Sequence, residues 1–217
     1  MTLARAYLNL ERRLSWADES FRSNYRLANK AMSNEEIFFL NGLVDYVWQA
    51  WNRFSREYFF KCCMGCHTKN GVQIAAANNL QPVSEERISY ISTMLSRPNK
   101  ISTNGLNSTL RYEPTWGDID KIISLSALCQ LSNHANITAS FGGGLLGPKH
   151  LQKVRNAIAH LNKETHNDVI GLASLYKSNK LRHPVSSVFW RTTDTDLYAL
   201  SAWIEDMILI ADIATEA

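Results

Sequence analysis

Ser33-Asn-Glu-Glu36 opens the stretch that decides the fold, and the chain continues Ile37-Phe-Phe-Leu-Asn-Gly-Leu-Val-Asp-Tyr-Val-Trp-Gln-Ala-Trp-Asn-Arg-Phe-Ser-Arg-Glu-Tyr58. A Ser with a Glu three places on is a capping box, so the spacing predicts a helix starting near residue 34. It carries Phe38, Phe39, Leu40, Leu43, Val44, Val47, Trp48, Trp51, Phe54 and Tyr58. That is more apolar surface than one stripe of a surface helix holds, which predicts the central helix of a bundle. Met64-Gly65 and Lys69-Asn-Gly71 end it.

Helical periodicity dominates the rest of the chain. Residues 1–32 read as an added N-terminal helix, with Leu3, Tyr7, Leu10, Leu14, Phe21 and Tyr25 on a narrow stripe. Past the central helix, Ser84 opens a helix over 84–97 that closes before Pro98, and residues 98–116 read as a loop. A helix is expected over 117–133. Phe141-Gly-Gly-Gly-Leu-Leu-Gly-Pro148 breaks the chain, and Pro148 suits the first residue of a helix over about 148–162. Residues 163–193 read as an irregular, loop-rich insertion with a short extended piece at Val185–Trp190. A last helix is expected over 194–214, with Leu197, Leu200, Ile204, Met207, Ile208 and Ala211 on one side. The fold class is all-α: a single helical domain, with 34–214 as its core bundle.

Composition agrees. The 217 residues are 45% hydrophobic and 20% charged with net charge +3, which suits one folded domain and excludes disorder. With 10 Gly and 5 Pro, collagen-like and low-complexity classes are excluded too. The first residues are interrupted by charge and carry no secretory pattern. Ile204 to Ala214 is broken by Glu205, Asp206 and Asp212, so no membrane span is expected. The chain is therefore expected to be cytoplasmic, with Cys62, Cys63, Cys66 and Cys129 reduced and the sequons at Asn107 and Asn136 chance matches.

The segment Pro148-Lys-His-Leu-Gln-Lys-Val-Arg-Asn-Ala-Ile-Ala-His-Leu-Asn162 carries the chemistry. Leu151, Val154, Ile158 and Leu161 form a predicted buried stripe. At about 100° per residue, Asn156 and His160 fall roughly opposite it and neighbour each other, with Arg155 on the flank. Ala157 and Ala159 are small enough to admit another backbone. The plain alternatives are a surface histidine and an arginine in a structural ion pair.

Arg155-Asn156-Ala-Ile-Ala-His160 resembles the motif of the HEPN superfamily: an Arg, a following polar residue, then a His, with four to six residues between the Arg and the His. The late helix of an all-α chain is the family's setting. The helix with Trp48, Trp51, Phe54 and Arg56 resembles the aromatic helix of its stand-alone members. The resemblance covers about residues 34–214. It implies a small helical bundle acting as a metal-independent endoribonuclease of toxin or antiviral-defence type. It also implies a homodimer whose two motifs share one cleft, with no cofactor and with an antitoxin or sensor protein as partner. Some family toxins carry a Tyr two residues past the His, the target of a silencing modification; here that place is Asn162. The same resemblance allows a non-catalytic RNA- or protein-binding module, and a purely structural adaptor is a further alternative.

The residue types suit the reaction. Imidazole titrates near neutrality, so His160 can move the proton of an RNA 2′-OH or of the leaving oxygen. Arg155 offers a planar fork to phosphoryl charge, and Asn156 can orient His160 or hold a phosphate oxygen. One His does not readily serve as acid and base in one step, which the implied dimer answers.

Charge is uneven along the chain. Residues 148–192 hold eight Lys and Arg against Glu164 and Asp168, a net +6; residues 193–217 hold six acids and no Lys or Arg; residues 1–147 net +3. Lys149, Lys153, Lys163 and Arg182 are the expected RNA contacts, with Tyr176, Phe189 and Trp190 as expected base-stacking surfaces. The plainer reading pairs this block with the acidic C-terminal helix.

Other motifs are weaker. Cys63-Met-Gly-Cys66-His67 has the spacing of haem attachment, and Cys62 or Cys63 with Cys66 and His67 would need Cys129 or His134 to complete a zinc site. Buried thiols at a helix end are the simpler expectation. The glycine run lacks the Gly-Lys-Ser/Thr ending of a phosphate loop and reads as a hinge. Asp118 and Asp120 suit a helix start rather than a metal.

Overall fold

A computed structural model describes residues 1–23, 32–96 and 112–216. The order is α1 (Ala4–Ser23), α2 (Asn34–Met64), β1 (Cys66–His67), β2 (Gln73–Ile74), α3 (Glu85–Ser96), α4 (Ile119–Leu128), α5 (His134–Phe141), α6 (Gly147–Ala159), α7 (Lys163–Ile170), β3 (Tyr176–Lys177), β4 (Arg191–Thr192) and α8 (Ala199–Glu216), so the protein is all-α with two minimal antiparallel strand pairs. The end of the expected N-terminal helix (24–31) and most of the expected 98–116 loop, with its Asn107 sequon, lie outside the described residues. No described helix is long and apolar enough to cross a membrane.

The capping box forms as its residues require. The Glu36 amide donates to Ser33 Oγ at 3.2 Å, and the Ser33 amide donates to Glu36 Oε2 at 2.6 Å. The helix it opens runs 31 residues and stops where Gly65 turns to φ +82°, a conformation open to glycine.

The chain divides into two compact units. The first comprises residues 1–9, 52–145 and 210–217. Its core is aromatic: Phe59 and Phe60 meet the Trp116 ring at 5.3 and 5.5 Å, and Tyr58 meets Phe141 at 5.7 Å. Arg56 forks onto Glu113 at 2.7 and 2.9 Å and lies 4.0 Å over the Phe60 ring. Trp116 Nε1–H donates to the same carboxylate at 2.7 Å. Burial pushes the Glu113 carboxyl up, but Arg56 and Trp116 more than offset this and hold it below the usual range. The arginine of the aromatic helix is thus engaged in structure.

The expected 117–133 helix is shorter, and a further helix follows it. α4 ends at Leu128, Gln130 takes φ +51°, and α5 begins at His134. Asn133, between them, donates to Tyr58 Oη at 3.2 Å and Cys62 Sγ at 3.3 Å, so a tertiary anchor breaks what the apolar period would continue.

The second unit comprises residues 10–51 and 146–209 and holds every predicted site residue. Its core includes Leu14, Phe21, Val44, Trp48, Leu151, Val154, Val188, Leu200 and Trp203. Phe21 packs on Phe189 at 5.4 Å and Tyr198 at 5.7 Å. The region expected to be an irregular insertion is ordered: α7, short 3-10 turns at Ala173–Leu175 and Pro184–Phe189, and the β3–β4 pair. The piece expected to be extended is the second of those turns.

Glu113→Gln keeps the shape and removes the charge facing a half-buried Arg56. It should lower the unfolding free energy by about 2 kcal/mol, after allowance for Arg56 being partly solvated. Urea unfolding followed by tryptophan fluorescence checks this, and an unchanged midpoint would refute it.

Candidate functional site

The motif helix is held by its first turn. Gly147 faces the backbone of α8 so closely that a Cβ there would stand 2.6 Å from the Trp203 carbonyl oxygen and 2.7 Å from Trp203 Cα. Its amide donates to Asp206 Oδ2 at 2.8 Å, so a carboxylate from α8 caps α6 in place of a local side chain. Burial raises the Asp206 carboxyl, against the pull of the Gly147 and Leu146 amides. Pro148 is the second residue of the helix rather than the first.

One turn on, His150 is buried at 7% exposure. Trp203 Nε1–H donates to Tyr176 Oη at 2.7 Å, and the His150 Nδ1–Tyr176 Oη distance is also 2.7 Å. An indole only donates, so the Tyr176 hydroxyl accepts from Trp203 and has its own proton to give to His150 Nδ1. Burial, with the charge of Lys153 adding, lowers His150 to about 4 and keeps it neutral. Nothing in the charge pattern of the sequence marks His150 as buried. The wheel held a clue, since His150 lies one position from Leu151 on the buried side.

The predicted stripe is partly corrected. Leu151 and Val154 are buried, and Ala157 joins them. Ile158 is half-buried, and Leu161 is 74% exposed. The cause is an early end: His160 takes φ −126°, ψ 45° as the C-cap, so residues after Ala159 lose the helical phase. Asn162 then caps α7 by accepting the Thr165 amide at 3.0 Å. The Thr165 hydroxyl lies 3.3 Å from the His160 carbonyl and 3.2 Å from that of Asn162. Asn162 followed by Glu164 was the available sign of a new helix start.

His160 is exposed, Asn156 half-buried and Arg155 half-buried. Arg155 Nε reaches Asp45 Oδ1 on α2 at 3.4 Å, a long contact to a carboxylate that is 51% exposed. The arginine therefore has a partner on α2, in a contact that is long and partly solvated. Ala157 is packed into the unit and gives no open approach, whereas Ala159 is exposed.

The basic block separates into two sets. Lys177 and Arg191 converge on Asp196, at 2.9 and 3.8 Å, and Arg191 lies 3.6 Å over Tyr198. Lys153, Lys163 and Arg182 are exposed, and Lys149 is half-buried. The aromatic expectations do not hold: Trp190 is buried, Phe189 packs on Phe21 and Tyr198, and the Tyr176 hydroxyl serves His150 and Trp203. Trp190 is therefore part of the core, while Phe189 and Tyr176 are half-buried with their rings or hydroxyl engaged by core residues.

Cys63 and Cys66 are buried, and burial pushes the Cys62 and Cys63 thiols up. His67 is exposed on β1. Among the described residues no three His, Cys, Asp or Glu side chains are grouped to hold a metal ion. Asp118 caps α4, accepting from the Asp120 and Lys121 amides.

The chain matches no protein-family model, no curated protein and no solved structure.

Two outcomes follow for the platform beneath the motif. Gly147→Ala forces α6 off α8 and should cost about 2 kcal/mol of stability, read by thermal melting. His150 binds its proton less readily folded than unfolded, so its contribution is complete above about 6.5 and is lost as pH falls toward about 4. The loss is on the order of 3 kcal/mol. His150→Gln does not titrate, so its stability gap to the wild type should narrow between pH 7 and 4.5; a constant gap would rule this out.

Proposed function

We propose that the chain is an HEPN-like endoribonuclease that cleaves single-stranded RNA without a metal. The observation that carries the reading is the placement of the motif. Arg155 and Asn156 stand on the last turns of α6, and His160 emerges exposed at its C-cap. Lys153 and Lys163 are exposed on either side in sequence. In the proposed reaction the RNA 2′-oxygen attacks the adjacent phosphorus and the 5′-oxygen leaves with a proton. The products are a 2′,3′-cyclic phosphate and a 5′-hydroxyl. His160 moves a proton, and Arg155, exchanging Asp45 for phosphate, offsets the charge gathered in the transition state. A second copy supplies the second His160, so the working form is a homodimer. A role as a toxin or antiviral effector, held in check by a partner protein, rests on the family resemblance.

A second reading draws on the Arg155–Asp45 contact. If that ion pair is the arginine's only task, the unit binds RNA or a protein through its basic face and cuts nothing.

Purified protein should cut single-stranded RNA in EDTA. His160→Ala and Arg155→Ala should each lower the rate roughly 10²- to 10⁴-fold, with melting temperature nearly unchanged because the Arg155 pair is exposed. Equal cutting by all three proteins marks a contaminant and removes the reading. Salt-sensitive RNA binding without cleavage selects the binding module. A strict monomer by sedimentation at high concentration removes the two-motif arrangement.

A further inference from the structure

Beyond the motif, a cleft of about 410 Å³ opens beside the C-terminal end of α6, lined by Ala157, Leu161, Asn162, Lys163, His166, Arg182, His183 and Pro184. Its volume lies within the roughly 300–1,000 Å³ of small-molecule sites. Four of its side chains are nitrogen bases from two separate stretches: Lys163 and His166 from α7, Arg182 and His183 from the approach to the Pro184 turn. No acid lines it; Glu164 and Asp168 of α7 lie outside. Among the described residues, Lys163 and Arg182 have no carboxylate partner. Folding has therefore gathered positive groups with no carboxylate in the lining, which gives the cleft a positive potential.

His183 is oriented for the task. Its Nδ1 accepts the Val185 amide at 3.2 Å, which caps the Pro184–Phe189 turn and leaves the ring proton on Nε2. Burial lowers the His183 pKa, and the charge of His166 lowers it further, so the two rings sense each other. A neutral ring with a fixed Nε2–H is a hydrogen-bond donor for a phosphate oxygen. Leu161 adds an apolar rim that the fold leaves 74% exposed, of the kind a sugar or base covers.

We propose that this cleft binds the phosphate of a single-stranded RNA nucleotide neighbouring the one at His160, with Lys163 and Arg182 as its charges and His166 and His183 as its ring donors. The proposal rests on the ribonuclease reading for the identity of the ligand. Leu161 follows His160 directly, so the lining of the cleft begins one residue past the motif.

The test uses a fluorescein-labelled single-stranded 2′-O-methyl RNA, which lacks the attacking hydroxyl, and follows its anisotropy over a salt series. Lys163→Gln with Arg182→Gln should weaken binding roughly tenfold near 0.1 M salt and flatten the log–log salt slope by about 1.4, or about 0.7 for each cation lost. His183→Asn keeps an acceptor for the Val185 amide and removes the Nε2–H. It should weaken binding severalfold with an unchanged melting temperature. Wild-type affinity and slope in both variants would overturn the proposal. So would saturation of the His166 and His183 ring resonances by inorganic phosphate at concentrations below those needed for the oligonucleotide, since the site would then serve the free ion. Cleavage of ordinary RNA is scored separately. Cutting with no effect of the variants on binding removes the cleft and leaves the nuclease. Weakened binding in the variants with no cutting by the wild type keeps the cleft and removes the nuclease.

Discussion

The contact between Gly147 and the backbone of Trp203 is the constraint on which the second unit is built. Two helices approach so closely that no Cβ fits between them. The closeness lets Asp206 reach the first amides of α6 and lets His150, Tyr176 and Trp203 join in one hydrogen-bonded chain. Glycine is the poorest ordinary residue inside a helix, but at the first turn that cost is small, and here its lack of a side chain is the requirement. A neutral buried histidine and a capped helix start then fix the rotation of α6. That rotation determines which way Arg155, Asn156 and His160 face.

The end of α6 is determined differently. Nothing in the apolar pattern stops the helix at Ala159, because Leu161 continues the spacing. Competition from Asn162 stops it, since Asn162 starts a second helix by taking the Thr165 amide. The outcome puts the proposed catalytic His160 at a C-cap, where it has left the helical backbone, and turns Leu161 outward. A residue expected in the core thus becomes the rim of the basic cleft.

Charge shows the same division between pattern and packing. The partition of +3 into basic and acidic blocks is a property of the sequence. Which cations are matched is not: Lys177 and Arg191 close on Asp196 because the β3–β4 pair brings them there, while Lys163 and Arg182 line one cleft that holds no acid. Of the aromatic residues interleaved with that block, Trp190 is core, and Phe189 and Tyr176 are half-buried against Phe21 and Trp203, because short 3-10 and strand segments fold over those two rings.

The all-α class, the capping box, the long aromatic α2 and the helix bearing the motif are legible in the order of residues. Each rests on interactions between residues three or four apart, and such spacing is readable along a chain. Local pattern failed at Gln130, at His160 and through 163–193, where single residues or non-local contacts broke or created elements. Only the tertiary structure decided that His150 is a buried neutral anchor, that Arg155 meets Asp45, and that His166 and His183 share a cleft with Lys163 and Arg182. Those pairings join residues up to 110 positions apart. Their physical cause is burial and charge placed by packing, which no periodicity records.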